Sequence, residues 1–110
     1  MDGIISFGNK RSYEEFKNQL SLKIKPQFEL LRNFCFSLGD NVIEDVRMHR
    51  IVFCKSITFR WFLDMEPNLD SIVIKIQKNR KEPQKKIWVK TNDNLEEIKK
   101  LISSAYNSIR

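Results

Sequence analysis

The spacing of apolar residues changes along the chain and separates helical from extended segments. Ser12 is followed by Glu15 at the spacing of a capping box, and apolar residues then recur at helical intervals. This pattern predicts a first helix over 12–23. A second apolar stripe predicts a helix over 26–38, and Gly39 is suited to the left-handed conformation that often ends a helix.

After the second helix the apolar period falls from 3.6 to 2, which is typical of β-strands. Five segments show this alternation: NVIEDVRM (41–48), RIVFCKS (50–56), ITFRWFLDM (57–65), SIVIKIQ (71–77) and KKIWVK (85–90). IISF at 4–7 has the composition of a further short extended piece. The short connections favour antiparallel pairing.

The end of the chain returns to a helical pattern. Asp93 and Glu96 repeat the cap spacing, and an apolar stripe runs from Leu95 to Ile109. Grouped strands with separate helices predict one α+β domain over 1–110, in the order α-α-β-β-β-β-β-α. The sheet is expected to be antiparallel with the helices mainly on one face, and one helix on the far face is the alternative.

Composition supports a folded, non-membrane protein. Of the 110 residues, 41% are hydrophobic, and no apolar run approaches the ~20 residues of a membrane helix. The first residues, MDGIISFGNKRS, lack the pattern of a secretory signal, so a soluble cytoplasmic protein is predicted. Cys35 and Cys54 lie among apolar neighbours and are expected to be buried free thiols, with a disulfide between them as the alternative.

The positive charge is concentrated in one segment. The net charge is +6, and the segment 75–90 holds seven basic residues and one acid, so the rest of the chain carries 13 of each. Such a concentration indicates a surface that faces a polyanion, although a solvated loop between two strands has the same composition.

No residue pattern in the chain predicts catalysis. His49, the only histidine, falls at an expected hairpin tip without an evident catalytic partner. Asp64, Glu66 and Asp70 provide oxygen ligands for a divalent cation, but the preferred interpretation is a turn rich in acidic residues. A non-enzymatic protein without metal or cofactor is therefore predicted.

One face of the predicted sheet combines aromatic rings with cations. If the face with Trp61 and Ile74 meets the helices, the other face carries Arg60, Phe62, Val73, Lys75, Gln77, Lys86, Trp88 and Lys90, and the adjacent loop adds Lys78, Arg80, Lys81 and Lys85. Rings stack on unpaired bases and cations neutralise phosphates, so we predict a site for single-stranded nucleic acid. The alternative is a protein-interaction or homodimer surface on the same face.

The segment FSLGDNVIEDVRMHRIVFCKSITFRWFLDMEP, followed by NLEEIKKLISSAYNSI, resembles a small domain family of unknown function. The matching features are Leu38-Gly39, Glu44-Asp45, Ile51 to Phe53, Phe59 to Phe62, and Ala105-Tyr106. Domains of this family are often appended to restriction-endonuclease-like or nuclease-associated proteins. The resemblance, over roughly 26–110, implies the α+β fold and an association with nucleic acid. It supplies no catalytic residue, and the chain departs from the family pattern at Arg60 and Trp61.

Overall fold

The computed structural model describes residues 11–55, 60–78, 81 and 83–109. The elements are α1 (Tyr13–Phe16), a 3₁₀ turn (Lys17–Gln19), α2 (Lys25–Ser37), β1 (Val42–Val46), β2 (Ile51–Lys55), β3 (Arg60–Pro67), β4 (Ser71–Ile76), β5 (Lys85–Lys90) and α3 (Glu96–Ser108). This succession confirms the predicted α+β class and element order. The extended piece predicted at 4–7 lies outside the described residues.

The five strands form one antiparallel sheet in the order β1-β2-β3-β4-β5, so each strand pairs with its neighbour in the sequence. Paired residues project to the same side, and the registers therefore define the two faces. Ile72 pairs with Val89, and Ile74 pairs with Ile87. Because Ile72, Ile74 and Val89 are fully buried, the predicted alternation of β4 and β5 is confirmed.

The helices pack on the face that carries these buried residues, which we call the helix face. Phe36 of α2 meets Phe53 of β2 edge-on, with ring centroids 5.7 Å apart. Tyr106 of α3 meets Phe62 of β3 in the same way at 5.4 Å. α1 adds the buried ring of Phe16 to the same core. Burial of these apolar side chains provides the main driving force for folding.

The opposite side of the sheet, on which no described helix packs, is called the open face. By register it carries Ile43, Asp45, Val52, Cys54, Trp61, Asp64, Glu66, Ser71, Val73, Lys75, Lys86, Trp88 and Lys90.

A β-bulge in β3 changes which side chains reach the open face. Phe53 pairs with Leu63, whereas the next residue, Cys54, pairs with Trp61, so Phe62 is an extra residue on β3. Phe62 lies on the helix face with 0% of its surface exposed. Trp61 consequently belongs to the open face. The prediction that Phe62 faces away from the helices and Trp61 toward them was wrong, because strict alternation does not continue through the bulge.

The same bulge moves Arg60 off the predicted site. Arg60 pairs with Lys55, whose Nζ donates hydrogen bonds to the carbonyl oxygens of Tyr106 and Ile109 at 3.1 and 2.7 Å. Those carbonyls are at the end of α3, so Lys55 and Arg60 share the helix face. The prediction that Arg60 lies on the open face was therefore wrong. Residues 57–59, which are predicted to belong to the same strand, lie outside the described residues.

The first helix is shorter than the predicted span of 12–23. Ser12 caps it as expected, because its Oγ accepts a hydrogen bond from the Glu15 N–H at 3.2 Å. The chain leaves the following 3₁₀ turn at Leu20, which has an extended backbone. This exit allows the Ser21 hydroxyl to donate to a carbonyl oxygen in the β3–β4 turn at 2.5 Å.

The predicted signals at two other helix ends also have different roles. Gly39, the one glycine among the described residues, does not have a positive φ, so it does not end α2 in the left-handed conformation. It lies instead against Tyr106, whose hydroxyl donates a hydrogen bond to Asn41 Oδ1 at 2.6 Å. Asp93 does not cap α3. Its Oδ2 accepts a hydrogen bond from the Lys90 N–H at 2.8 Å.

Cys35 and Cys54 are both buried and unpaired, which confirms the free-thiol prediction. Among the helices that the structure describes, none is sufficiently long and apolar to cross a bilayer.

Candidate functional site

Four predicted site residues come together on the open face. The register places Lys75 of β4 beside Lys86 of β5, and Trp88 and Lys90 follow at alternate positions on the same edge strand. Among the described residues, no carboxylate forms an ion pair with any of these three lysines. Lys86 and Lys90 are exposed, whereas Lys75 is half-buried and faces Asp64 of β3 in the register.

Trp88 is the aromatic member of these four site residues. The residue is 54% exposed, and the Lys86 Nζ lies 4.9 Å from the centroid of the Trp88 ring, within the range of a cation–π interaction. An exposed indole with an adjacent ammonium presents a flat apolar surface and a positive charge to the same ligand. The predicted juxtaposition of Trp88 and lysines on one face is thus observed.

Two of the other predicted basic residues, Lys78 and Lys85, do not join this surface. Lys85 pairs with Ile76, which places it on the helix face. A depression of about 270 Å³ lies on this side of the sheet, and Leu101 of α3 forms part of its lining. The other lining residues are Ile76, Lys78, Pro83 and Lys85. The predicted continuous basic surface is therefore divided between the two sides of the sheet.

Two predicted residues of the β4–β5 loop add little to this picture. Lys81 is exposed and takes part in an interaction within the chain. Arg80 lies outside the described residues. The open face alone therefore retains a group of described cations around an exposed ring.

The open face also contains a depression that the sequence did not predict. It has a volume of about 310 Å³ and is lined by Arg47, Arg50, Val52, Trp61, Asp64, Lys75 and Gln84. We call it the Trp61 depression. Trp61 reaches it because of the bulge, and Arg47 and Arg50 reach it from the β1–β2 turn. The arginines on either side of the expected hairpin tip, in RMHR, were the only sequence signal for this site.

The acidic residues near the depression are paired with arginines. Arg50 places its two terminal nitrogens 3.3 Å from Asp64 Oδ2 and 3.5 Å from Glu66 Oε1. Arg47 Nε lies 3.0 Å from Asp45 Oδ2. Within the described part of the chain, no cluster of three or more His, Cys, Asp or Glu side chains could hold a metal ion. Asp64 and Glu66 of β3 therefore both serve as ion-pair partners of Arg50.

His49 and Cys54 have side chains of types that can act in catalysis. His49 is exposed in the turn between β1 and β2. Cys54 lies on the open face of β2, beside Trp61 in the register, but only 5% of its surface is exposed. Burial, with a smaller contribution from Asp45, raises the pKa of the Cys54 thiol. A thiol with a raised pKa is a weak nucleophile at neutral pH.

Comparison of the chain with protein-family models, with curated proteins and with solved structures finds no significant match. The resemblance to nuclease-associated domains thus stays a prediction.

Proposed function

We propose that this protein is a non-enzymatic module that binds single-stranded nucleic acid on the open face of its sheet. The observation that supports the proposal is the exposed indole of Trp88 beside three lysines that have no carboxylate partner among the described residues. Unpaired bases offer π-faces that stack on such a ring, and the phosphates between them attract the ammonium groups. Duplexes hide their bases, so single strands are the preferred ligand class.

The distance between the two tryptophans of the open face indicates how much of a strand this surface can contact. Trp61 and Trp88 are separated by two strand spacings and four residue steps in the register, which is about 16 Å between their backbones. They therefore contact different bases of one strand. Lys75 lies between them, where it can neutralise an intervening phosphate.

The salt dependence of binding provides the first test. If Lys75, Lys86 and Lys90 each contact one phosphate, the slope of log K against log salt is about −2, since each contact on a single strand contributes about −0.7. Affinity for a fluorescein-labelled 12-nucleotide strand should then fall roughly 20-fold between about 50 and 200 mM salt. Fluorescence anisotropy measures this slope directly.

Variants separate stacking from charge. Trp88→Ala should weaken binding about tenfold, which corresponds to ~1.4 kcal/mol, whereas Trp88→Phe should retain most of the affinity. Lys86→Gln should reduce the slope by about 0.7, and Lys100→Gln serves as the matched control because Lys100 is exposed on α3, across the sheet.

The competing homodimer gives a different set of results. If the open face is a dimer interface, light scattering will give twice the monomer mass at all salt concentrations, and Trp88→Ala will return the protein to a monomer. A dimer of this kind combined with no measurable affinity for the oligonucleotide would refute the proposed function.

A further inference from the structure

The Trp61 depression differs in chemistry from the lysine surface around Trp88. Its lining combines an aromatic ring, the apolar side chain of Val52 and polar groups that both donate and accept hydrogen bonds. Its volume, about 310 Å³, is at the lower end of the range for small-molecule sites. It therefore suits a small, flat ligand with a polar edge.

The local charge disfavours a phosphate group as the main ligand of the depression. Arg47, Arg50 and Lys75 bring three positive charges. The ion-paired carboxylates of Asp45, Asp64 and Glu66 bring three negative charges to the same region. A dianion gains little from a region of zero net charge, whereas a neutral ligand with its own donors and acceptors can use both signs.

Arg50 and Asp64 offer these two kinds of group side by side. Arg50 has five N–H donors, and its ion pairs engage only the two terminal nitrogens. Asp64 accepts from Arg50 through Oδ2, which leaves a second carboxylate oxygen. Guanine matches this pair, because its O6 and N7 accept from an arginine fork and its exocyclic amino group donates.

We propose that the Trp61 depression is a subsite for one unpaired guanine, stacked on Trp61 and read at its edge by Arg50 and Asp64. This inference rests on the proposed function, since the guanine belongs to a strand that continues across Lys75 toward Trp88. Trp88 and the lysines then supply affinity for any sequence, and the depression supplies a preference for one base.

The ligand itself can be changed to test this assignment without altering the protein. Four 12-nucleotide strands are compared by anisotropy: oligo(dT), and oligo(dT) with one central dG, dA or dC. The dG strand should bind about tenfold more tightly than the other three. Replacing this guanine by 7-deazaguanine, which lacks N7, or by hypoxanthine, which lacks the amino group, should each remove most of the preference.

Protein variants locate the preference in the depression. Arg50→Lys retains the charge and loses the fork, so the ratio of the Kd values for oligo(dT) and the dG strand should fall toward one. Lys86→Gln should weaken all four complexes by the same factor and leave the ratio unchanged. In Trp88→Phe the remaining tryptophan is Trp61, and its fluorescence should be quenched more by the dG strand than by oligo(dT).

The outcomes distinguish this inference from the proposed function. Salt-dependent binding with equal affinities for the four strands, or with a preference for another base, overturns the guanine subsite and leaves the proposed function intact. The absence of binding to any strand overturns both.

Discussion

Replacing Gly39 by alanine tests how closely α3 approaches the end of α2. A Cβ added at Gly39 would overlap the hydroxyl oxygen of Tyr106 and stand 3.2 Å from its Cζ. The hydroxyl also donates a hydrogen bond to Asn41 Oδ1 at 2.6 Å. Alanine therefore forces the ring to move and breaks this bond.

The cost can be estimated from its parts. Overpacking typically costs about 1–3 kcal/mol, and loss of the hydrogen bond adds about 1 kcal/mol. The smaller entropy of the unfolded alanine chain offsets about 0.5–1 kcal/mol of this sum. We expect Gly39→Ala to lower the free energy of unfolding by about 2 kcal/mol, and the melting temperature by roughly 8 °C.

A double-mutant cycle identifies the cause. Tyr106→Phe alone should cost about 1 kcal/mol, since only the hydrogen bond is lost. In the Tyr106→Phe background, Gly39→Ala should cost less than about 0.5 kcal/mol, because the overlapping oxygen is absent. Urea denaturation followed by circular dichroism gives the four free energies of unfolding. If the two substitutions are additive within about 0.5 kcal/mol, the hydroxyl is not what requires a glycine at this position.

Three other predictions follow from the packing. Phe62→Ala should reduce the free energy of unfolding by about 3–5 kcal/mol and Trp88→Ala by less than about 1 kcal/mol in urea titrations, and equal costs would contradict the assigned bulge. Lys55→Met should cost about 1–3 kcal/mol, measured by thermal denaturation, because two carbonyl oxygens at the end of α3 lose a charged donor; an unchanged melting temperature would argue against that contact. Burial raises the pKa of the Cys35 and Cys54 thiols above that of a thiol in the unfolded chain. The contribution of the two thiols to the free energy of unfolding should therefore be fully present below the ordinary thiol pKa and should decline as the pH rises above it. Urea titrations from pH 7 to 10 on the native chain and a double Cys→Ala variant measure this contribution, and parallel pH profiles would contradict it.

The regular strands are the part of the site that could be predicted from the sequence. On β4 and β5 an apolar residue alternates with a polar or exposed one, so the period alone placed Lys75, Lys86, Trp88 and Lys90 together. Period 2 has only two possible phases, and burial of the isoleucines selects one of them. Local pattern and final structure agree here.

The bulge in β3 could not be predicted in the same way. Trp61, Phe62 and Leu63 are all apolar, so inserting one extra residue leaves no gap in the hydrophobic pattern. The extra residue shifts the strand by one position, so that the side chains before it, Arg60 and Trp61, lie on the opposite faces from those that strict alternation predicts. Cross-strand pairing, which depends on the whole sheet, decides the outcome and places Trp61 in the depression.

The division of the basic loop was also hidden in the sequence. Lys78 and Lys85 flank the loop, but their side of the sheet depends on the register between Ile76 and Lys85. The concentration of basic residues in 75–90 predicts a single basic surface. The backbone geometry of the hairpin separates it into two.

The meander order has a consequence for synthesis of the protein. Every strand pairs with the one made just before it, so the sheet can assemble as the ribosome proceeds. α3 is made after all five strands, although it packs on β3 and β4. At bacterial-to-eukaryotic elongation rates, residues 91–109 need about 1–4 s. The apolar side of the sheet lacks the cover of α3 until these residues have been made and have docked, and apolar surface exposed in this way is prone to aggregation.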